Sequence, residues 1–188
     1  MRKYPGVSLS VLIVLFCAVA CIAFGADGAR ETGIVKWDRL FHIAKSSNAN
    51  VVVYEAGIDW DPSKTAAPKF VAKDPIRVYW IKNTKGGQRA NLSWIERTKA
   101  YGVKILNCRP TLTEFAVSAM PERIIRVQIR RIGQTYKALP IMKIGGEDCI
   151  LTEVAVKITG GPFPKPEYAD LRGLSLTGKR EVTERITG

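Results

Sequence analysis

An alternating stretch near the middle of the chain decides the fold class, and it reads Arg123-Ile124-Ile125-Arg126-Val127-Gln128-Ile129-Arg130. Successive side chains of an extended strand point to opposite faces, so Ile125, Val127 and Ile129 share one face. The polar side chains between them share the other face. This period of two indicates a strand with one buried and one solvated face, as in an antiparallel sheet.

The same alternation recurs in residues 50–56, 76–82, 103–108, 113–119, 135–144 and 149–159. The connections are short, with turn residues at Arg109-Pro110, Met120-Pro121, Gly133-Gln134 and Gly145-Gly146. Such connections favour hairpins, so residues 103–159 are predicted to form a five-strand meander. Residues 168–171 and 181–186 are predicted to add a final hairpin. The predicted fold class is mainly β: an antiparallel β-sandwich or a small barrel built on a meander, with one short α-helix.

The short helix is predicted from its N-terminal cap. Ser93 and Glu96 have the spacing of a capping box, in which each side chain accepts a hydrogen bond from a free backbone N–H group. Gly102 is placed to end the helix. A helix this short depends on packing, and its apolar residues are predicted to share one buried face: Trp94, Ile95, Thr98 and Tyr101.

The first 25 residues have the pattern of a secretory signal peptide. Arg2 and Lys3 precede a nearly continuous apolar run over residues 11–24, and small residues follow. Cleavage is predicted after Gly25, with Gly28 as a second possible position. Two alternatives are a retained membrane anchor over residues 8–24 and a lipoprotein processed at Cys21. The chain is therefore predicted to be exported to the periplasm or secreted, with an N-terminal extension over residues 26–40 and a single domain over residues 41–188.

Positive charge dominates the 188-residue chain, which has 29 Lys and Arg against 17 Asp and Glu residues. The stretch quoted above and the two runs after it carry seven basic residues: Arg123, Arg126, Arg130, Arg131, Lys137, Lys143 and Lys157. If these strands align as hairpins, part of this set is predicted to form a positive face. An exported protein seldom meets nucleic acid, so the predicted partners are an anionic envelope lipid, a glycan or another envelope protein. A solvated surface without a ligand is the alternative.

Loss of residues 1–25 would leave two cysteines, Cys108 and Cys149. In an oxidising compartment a disulfide between them is one prediction, and two separate buried thiols are the other. One histidine and two distant cysteines do not make a metal-ligand set, so no metal and no cofactor is predicted.

A hydrolase is the weakest functional hypothesis. His42, the single histidine, would act as general base to Ser46 or Ser47. His42 and Ser46 share a face of an extended strand, but four residues of strand span about 13 Å, which is beyond hydrogen-bond reach. We therefore predict a non-enzyme with no catalytic residue.

Aromatic residues suggest an apolar ligand as another alternative. Tyr79 and Trp80 are consecutive in a predicted strand and face opposite sides, so one of them is placed to line a pocket or an outer surface. In this alternative the fold is a barrel that encloses a small apolar ligand.

Several segments resemble the family of domain of unknown function 4833: residues 41–54, Val78-Tyr79-Trp80, residues 94–97, Ala100-Tyr101-Gly102, and residues 168–179. The resemblance implies an exported, single-domain protein and assigns no catalytic role to any position. It directs attention to residues 41–50 and 94–102. With the charged and aromatic residues above, it gives the candidate binding residues His42, Lys45, Ser46, Asn48, Tyr79, Trp80, Arg89, Arg97, Arg126 and Arg130. The leading hypothesis is a non-enzymatic binding or interaction module of the cell envelope with a basic surface.

Overall fold

A computed structural model describes residues 34–61, 63, 65–160, 165–178 and 180–187. The predicted signal peptide and both predicted cleavage positions lie outside these residues. The described chain forms twelve strands of one sheet. Their bounds are β1 Val35–Lys45, β2 Asn48–Asp59, β3 Lys69–Phe70, β4 Ile76–Lys82, β5 Gln88–Ala90, β6 Val103–Arg109, β7 Leu112–Val117, β8 Met120–Ile132, β9 Thr135–Ile144, β10 Glu147–Ile158, β11 Pro166–Ser175 and β12 Glu181–Thr187.

The predicted meander and final hairpin are confirmed. Strands β6 to β10 are neighbours in chain order, and β11 pairs with β12 in antiparallel register. On β8, Ile125 and Val127 are fully buried while Arg126 is partly exposed, as the alternation predicts. The first strand begins at Val35, within the segment predicted as an extension, and its Asp38 is buried.

Strand β10 joins the two halves of the sheet. One of its edges pairs with β11 from Cys149 to Ile158. The other edge pairs first with β9, in antiparallel register, and then with β1, in parallel register from Glu153 to Val156. The sheet order is therefore β5-β4-β2-β1-β10-β9-β8-β7-β6, with β11 and β12 branching from β10.

Three stacked aromatic rings show that the sheet folds back on itself. Phe41 of β1 and Tyr54 of β2 have ring centroids 4.4 Å apart, and each ring lies 6.5 Å from the ring of Phe115 on β7. Because β10, β9 and β8 separate β1 from β7 in the sheet, this contact requires two facing layers. Among the described residues the end strands β5 and β6 do not pair, so the sheet is an open sandwich and the barrel alternative is wrong.

The predicted disulfide is also wrong, since both cysteines are free thiols. Cys108 is exposed on the edge strand β6, whereas Cys149 is buried on β10. A disulfide needs its two Cα atoms within about 7 Å. Here one thiol lies on the surface of an edge strand and the other lies in the core, and the two do not form this bond.

In the described part of the chain, no helix has both the length and the apolar character needed to cross a membrane.

Candidate functional site

The helical segment between β5 and β6 starts as the capping box predicts. An α-helical turn, α1, covers Trp94–Glu96, and a π-helical turn covers Arg97–Tyr101. The backbone N–H of Ser93 donates to Glu96 Oε2 at 2.8 Å, and the N–H of Glu96 donates to Ser93 Oγ at 3.3 Å. We call residues 94–101 the helical segment.

Contacts at its C-terminal end hold the helical segment against the sandwich. Tyr54, which is fully buried, donates its hydroxyl to the carbonyl of Tyr101 at 2.8 Å. The hydroxyl of Ser118 donates to the carbonyl of Arg97 at 3.1 Å. A Cβ atom at Gly102 would overlap that same carbonyl, so only glycine allows the chain to pass here. The position of the helical segment is therefore fixed by the core and by the β7–β8 turn.

A group of cations and aromatic rings surrounds Trp80 on β4. The indole Nε1 donates to Glu96 Oε1 at 3.1 Å, and the Tyr101 ring meets the Trp80 ring edge-on, with centroids 5.4 Å apart. The ammonium groups of Lys45 and Lys82 lie 4.7 and 4.4 Å from the centroid of the Trp80 ring. These are cation–π distances. We call Lys45, Trp80, Lys82, Glu96 and Tyr101 the Trp80 cluster.

The ionisable groups of the Trp80 cluster shift one another's pKa values. Burial lowers the pKa of Lys45; the charge of Glu96 opposes this effect and the charge of Lys82 adds to it. Burial alone would raise the pKa of Glu96, but hydrogen bonds from Ser93 and Trp80 outweigh it, and the pKa is lowered. Glu96 is therefore held as a carboxylate between two lysines.

The start of the helical segment is the most exposed apolar part of the described surface. Trp94 is 76% exposed and Ile95 is 65% exposed, so their predicted burial on one face with Tyr101 is wrong. The change from an α-helical to a π-helical turn after Glu96 alters the angular spacing of the side chains, which separates Trp94 and Ile95 from Tyr101. We call Trp94 and Ile95 the aromatic tip. Arg97 and Lys99, both exposed, follow after Glu96.

The candidate residues do not form one site. The structure brings Lys45 and Trp80 together, with Arg97 on the adjoining helical segment. Tyr79 and Trp80 point to opposite faces as predicted, and Tyr79 lies on the outer face, where its hydroxyl donates to Glu55 at 2.7 Å. The Arg89 guanidinium lies 4.3 Å from the centroid of the Tyr79 ring. Burial and the bond to Glu55 raise the pKa of Tyr79. These contacts account for Tyr79 and Arg89 as parts of a structural ion cluster.

The serine and histidine of the hydrolase hypothesis have separate partners. His42 Nε2 faces Glu153 Oε1 at 3.6 Å on the outer face of β1 and β10. Ser46 Oγ accepts a hydrogen bond from the backbone N–H of Ile158 at 3.0 Å. Asn48 accepts one from the N–H of Asn50 at the start of β2. None of these contacts activates a hydroxyl as a nucleophile.

The predicted positive face on β8 is partly neutralised. Arg126 pairs with Asp148 of β10 at 2.8 Å, and Arg123 pairs with Glu184 of β12. Arg130 donates to the neutral side-chain oxygen of Gln128 at 2.7 Å. The face therefore presents less positive charge than its sequence suggests.

His42 gives the fold a pH dependence. Burial lowers its pKa below the ordinary value of 6.5; Glu153 opposes the shift and Arg39 adds to it. The unfolded chain therefore binds the proton more readily, and the free energy of unfolding should fall as the pH drops below 6.5 and level off below the folded-state pKa. Urea unfolding of the wild type and His42→Gln across this range measures the difference. A wild type that loses no more stability than His42→Gln contradicts the assignment.

The fold and the site define a class of protein: a mainly β domain made of one folded sheet, with a firmly held, exposed aromatic tip beside a cationic cluster. The chain belongs to the family described as a domain of unknown function, DUF4833, whose family model matches residues 41–185. The predicted resemblance is confirmed. No curated protein matches the chain, and neither does any solved structure.

Sequence reasoning missed Lys82, Tyr101 and the exposed tip as members of the site. Lys82 lies two residues after Trp80 in β4. Because residues two apart in a strand share a face, the sequence could have predicted that Lys82 lies beside Trp80. The exposure of Trp94 and Ile95 had no such signal, because an amphipathic helical spacing normally indicates burial.

Proposed function

We propose that this domain is a non-enzymatic module that binds reversibly to the anionic lipid surface of the cell envelope through the aromatic tip. The observation that carries the proposal is the exposure of Trp94 and Ile95 at the capped start of the helical segment. Two adjacent large apolar side chains with this exposure form a small contiguous apolar patch, and contiguous patches mark interaction surfaces where single exposed side chains do not. Tryptophan in particular favours the headgroup region of a bilayer, where its ring is buried and its N–H stays hydrated.

The charges around the aromatic tip support an anionic partner. Arg97 and Lys99 are exposed within five residues of Trp94, and Lys82 lies beside Glu96 in the Trp80 cluster. A basic residue near an anionic membrane surface contributes about 1 kcal/mol. Insertion of Trp94 and Ile95 alone contributes only a modest part of the binding free energy. Stable attachment to a membrane therefore needs both this apolar contribution and the electrostatic one.

The predicted export of the chain supports an envelope location. Residues 1–25 have the order of charge, apolar run and small residues that directs secretion. A chain delivered in this way meets phospholipid headgroups before it meets nucleic acid. Glycans and other envelope proteins are the alternative anionic partners.

Removal of charge near the tip tests the electrostatic part of the proposal. We expect the double substitution Arg97→Gln and Lys99→Gln to weaken binding to phosphatidylglycerol-containing vesicles about 30-fold, because each lost charge removes about 1 kcal/mol of binding free energy. Co-sedimentation with vesicles at two salt concentrations measures it, and wild-type binding should weaken as salt rises.

The matched control is the double substitution Arg130→Gln and Arg131→Gln, which removes the same charge from β8. Its effect should be small, because those side chains lie on another part of the fold. Equal losses in the two variants would show that binding depends on net charge alone. Wild-type binding to uncharged phosphatidylcholine vesicles that equals binding to anionic ones would contradict the proposal.

A further inference from the structure

A small open pocket of about 250 Å³ lies where β4 meets β5. Its walls are formed by Arg77 and Tyr79 of β4, Arg89 and Ala90 of β5, and Asn91, which follows β5. Among the described residues, the charged side chains that line the pocket are these two arginines, and no acidic side chain lines it. The volume is below the range of drug-sized ligand sites, about 300–1,000 Å³, so the pocket has room for one small anionic group.

The buried Glu55 of β2 fixes the two arginines without neutralising both. Its Oε2 accepts a hydrogen bond from Arg77 Nε at 2.6 Å, and its Oε1 accepts one from the Tyr79 hydroxyl at 2.7 Å. The Arg89 guanidinium lies 3.8 Å from Oε1, which is beyond hydrogen-bond distance, and Arg89 donates no hydrogen bond within the described chain. Two guanidinium groups and one carboxylate therefore leave a net positive charge at the pocket.

Aromatic rings hold both guanidinium groups in place. The Cζ atom of Arg77 lies 4.0 Å from the centroid of the Trp37 ring, and that of Arg89 lies 4.3 Å from the centroid of the Tyr79 ring. Contact with a ring face orients a guanidinium and leaves the N–H groups at its edge able to donate. Two guanidinium groups held in this way can share an anion that has several acceptor oxygens.

The pocket lies close to the aromatic tip along the chain. Asn91 lines the pocket, and Trp94, the first residue of the aromatic tip, follows three residues later. Three residues of chain separate Cα atoms by at most about 11 Å. A lipid surface in contact with the aromatic tip would therefore have its headgroups close to the pocket.

We propose that this pocket binds a phosphomonoester group, whose oxygens are shared between Arg77 and Arg89. The inference deepens the proposed function, on which it rests for the source of the ligand, the headgroup of a lipid that ends in a phosphomonoester. Such a group carries a charge of about −1.5 to −2 at neutral pH and has three terminal oxygens. One arginine satisfies the two oxygens of a carboxylate, so a pair of arginines favours the phosphate.

NMR titration of the isotope-labelled full chain with glycerol 3-phosphate tests the site, because arginine Nε–H signals report both the affinity and the position. Glycerophosphoglycerol, a diester with one negative charge, is the matched ligand. We expect one-to-one binding that shifts the Arg77 and Arg89 signals and is about tenfold tighter for the monoester. Equal affinities for the two ligands, or shifts confined to other arginines, overturn the proposal.

The variant that tests the contact is Arg89→Gln. The Arg89 side chain is 61% exposed and donates no hydrogen bond within the described chain, so the urea midpoint should stay unchanged, whereas glycerol 3-phosphate affinity should fall about tenfold. Arg77 is unsuitable, because its loss leaves the buried Glu55 carboxylate without its closest cation.

Arg131→Gln is the matched control, since it removes one exposed arginine from β8. It should leave the affinity for glycerol 3-phosphate unchanged. Equal losses in Arg89→Gln and Arg131→Gln would show that net charge alone attracts the phosphate, and they would overturn the pocket assignment.

Vesicles identify the source of the phosphomonoester. At equal surface charge, the wild type should bind phosphatidate vesicles about fivefold more tightly than phosphatidylglycerol vesicles, and Arg89→Gln should remove this preference. If the preference is absent while glycerol 3-phosphate still binds at Arg89, the ligand is a soluble phosphomonoester and the pocket assignment stands.

The NMR titrations contain no vesicles, so they separate this inference from the proposed function. A chain that binds glycerol 3-phosphate but no anionic vesicle refutes the membrane role and keeps the pocket assignment. A chain that binds anionic vesicles but no glycerol 3-phosphate keeps the membrane role and overturns the pocket assignment.

Discussion

Substitution of Trp94 and Ile95 together by alanine should reduce the affinity for phosphatidylglycerol-containing vesicles about 100-fold. The two side chains are the most exposed large apolar residues of the helical segment, and their transfer into the interface supplies roughly 3 kcal/mol of the binding free energy. Neither side chain contributes to the core, so the free energy of unfolding should change by less than about 0.5 kcal/mol. Vesicle co-sedimentation and urea unfolding of the same preparation measure the two quantities.

The control for this experiment is the double substitution Ile124→Ala and Ile132→Ala on β8. These residues are 50% and 49% exposed, so the variant also removes two exposed apolar side chains. Binding should change less than threefold, because the residues lie outside the aromatic tip. A comparable loss in both variants would mean that exposed apolar area in general, and not the tip, drives attachment.

The second large effect concerns the core that positions the site. Phe115→Ala should lower the free energy of unfolding by about 4 kcal/mol, because the ring is fully buried and stacks on both Phe41 and Tyr54. Tyr54 in turn holds the carbonyl of Tyr101, so the damage extends to the base of the helical segment.

Equilibrium urea unfolding followed by circular dichroism measures this loss. Phe115→Leu is the matched variant, since it keeps an apolar side chain at the same position, and it should cost less than half as much. A loss below about 1 kcal/mol for Phe115→Ala would contradict the two-layer packing around these three rings.

The strands were predictable because a sheet with one buried face imposes a local period of two. Ile125 and Val127 carry that signal, and the short turns around Gly133 and Gly145 fix antiparallel neighbours. The parallel pairing of β1 with β10 was not predictable in the same way. Its partners, such as His42 and Glu153, are more than 100 residues apart, and no turn connects them.

The candidate site was predictable only in part. Lys45, Trp80 and Arg97 were found because charge and aromatic character are visible in the sequence. Their assembly depends on β1, β4 and the helical segment meeting in the folded chain. The charge on β8 was overestimated for the same reason, since its acidic partners Asp148 and Glu184 come from β10 and β12.

The most direct test of the membrane proposal is quenching of tryptophan fluorescence by vesicles whose lipid acyl chains carry bromine. Bromine quenches only an indole that enters the bilayer, so the comparison of wild type with Trp94→Phe isolates one of the four tryptophans. We predict strong quenching of the wild type in anionic brominated vesicles and loss of most of that quenching in Trp94→Phe. Equal quenching of the two proteins, or none in the wild type, would contradict insertion of the aromatic tip.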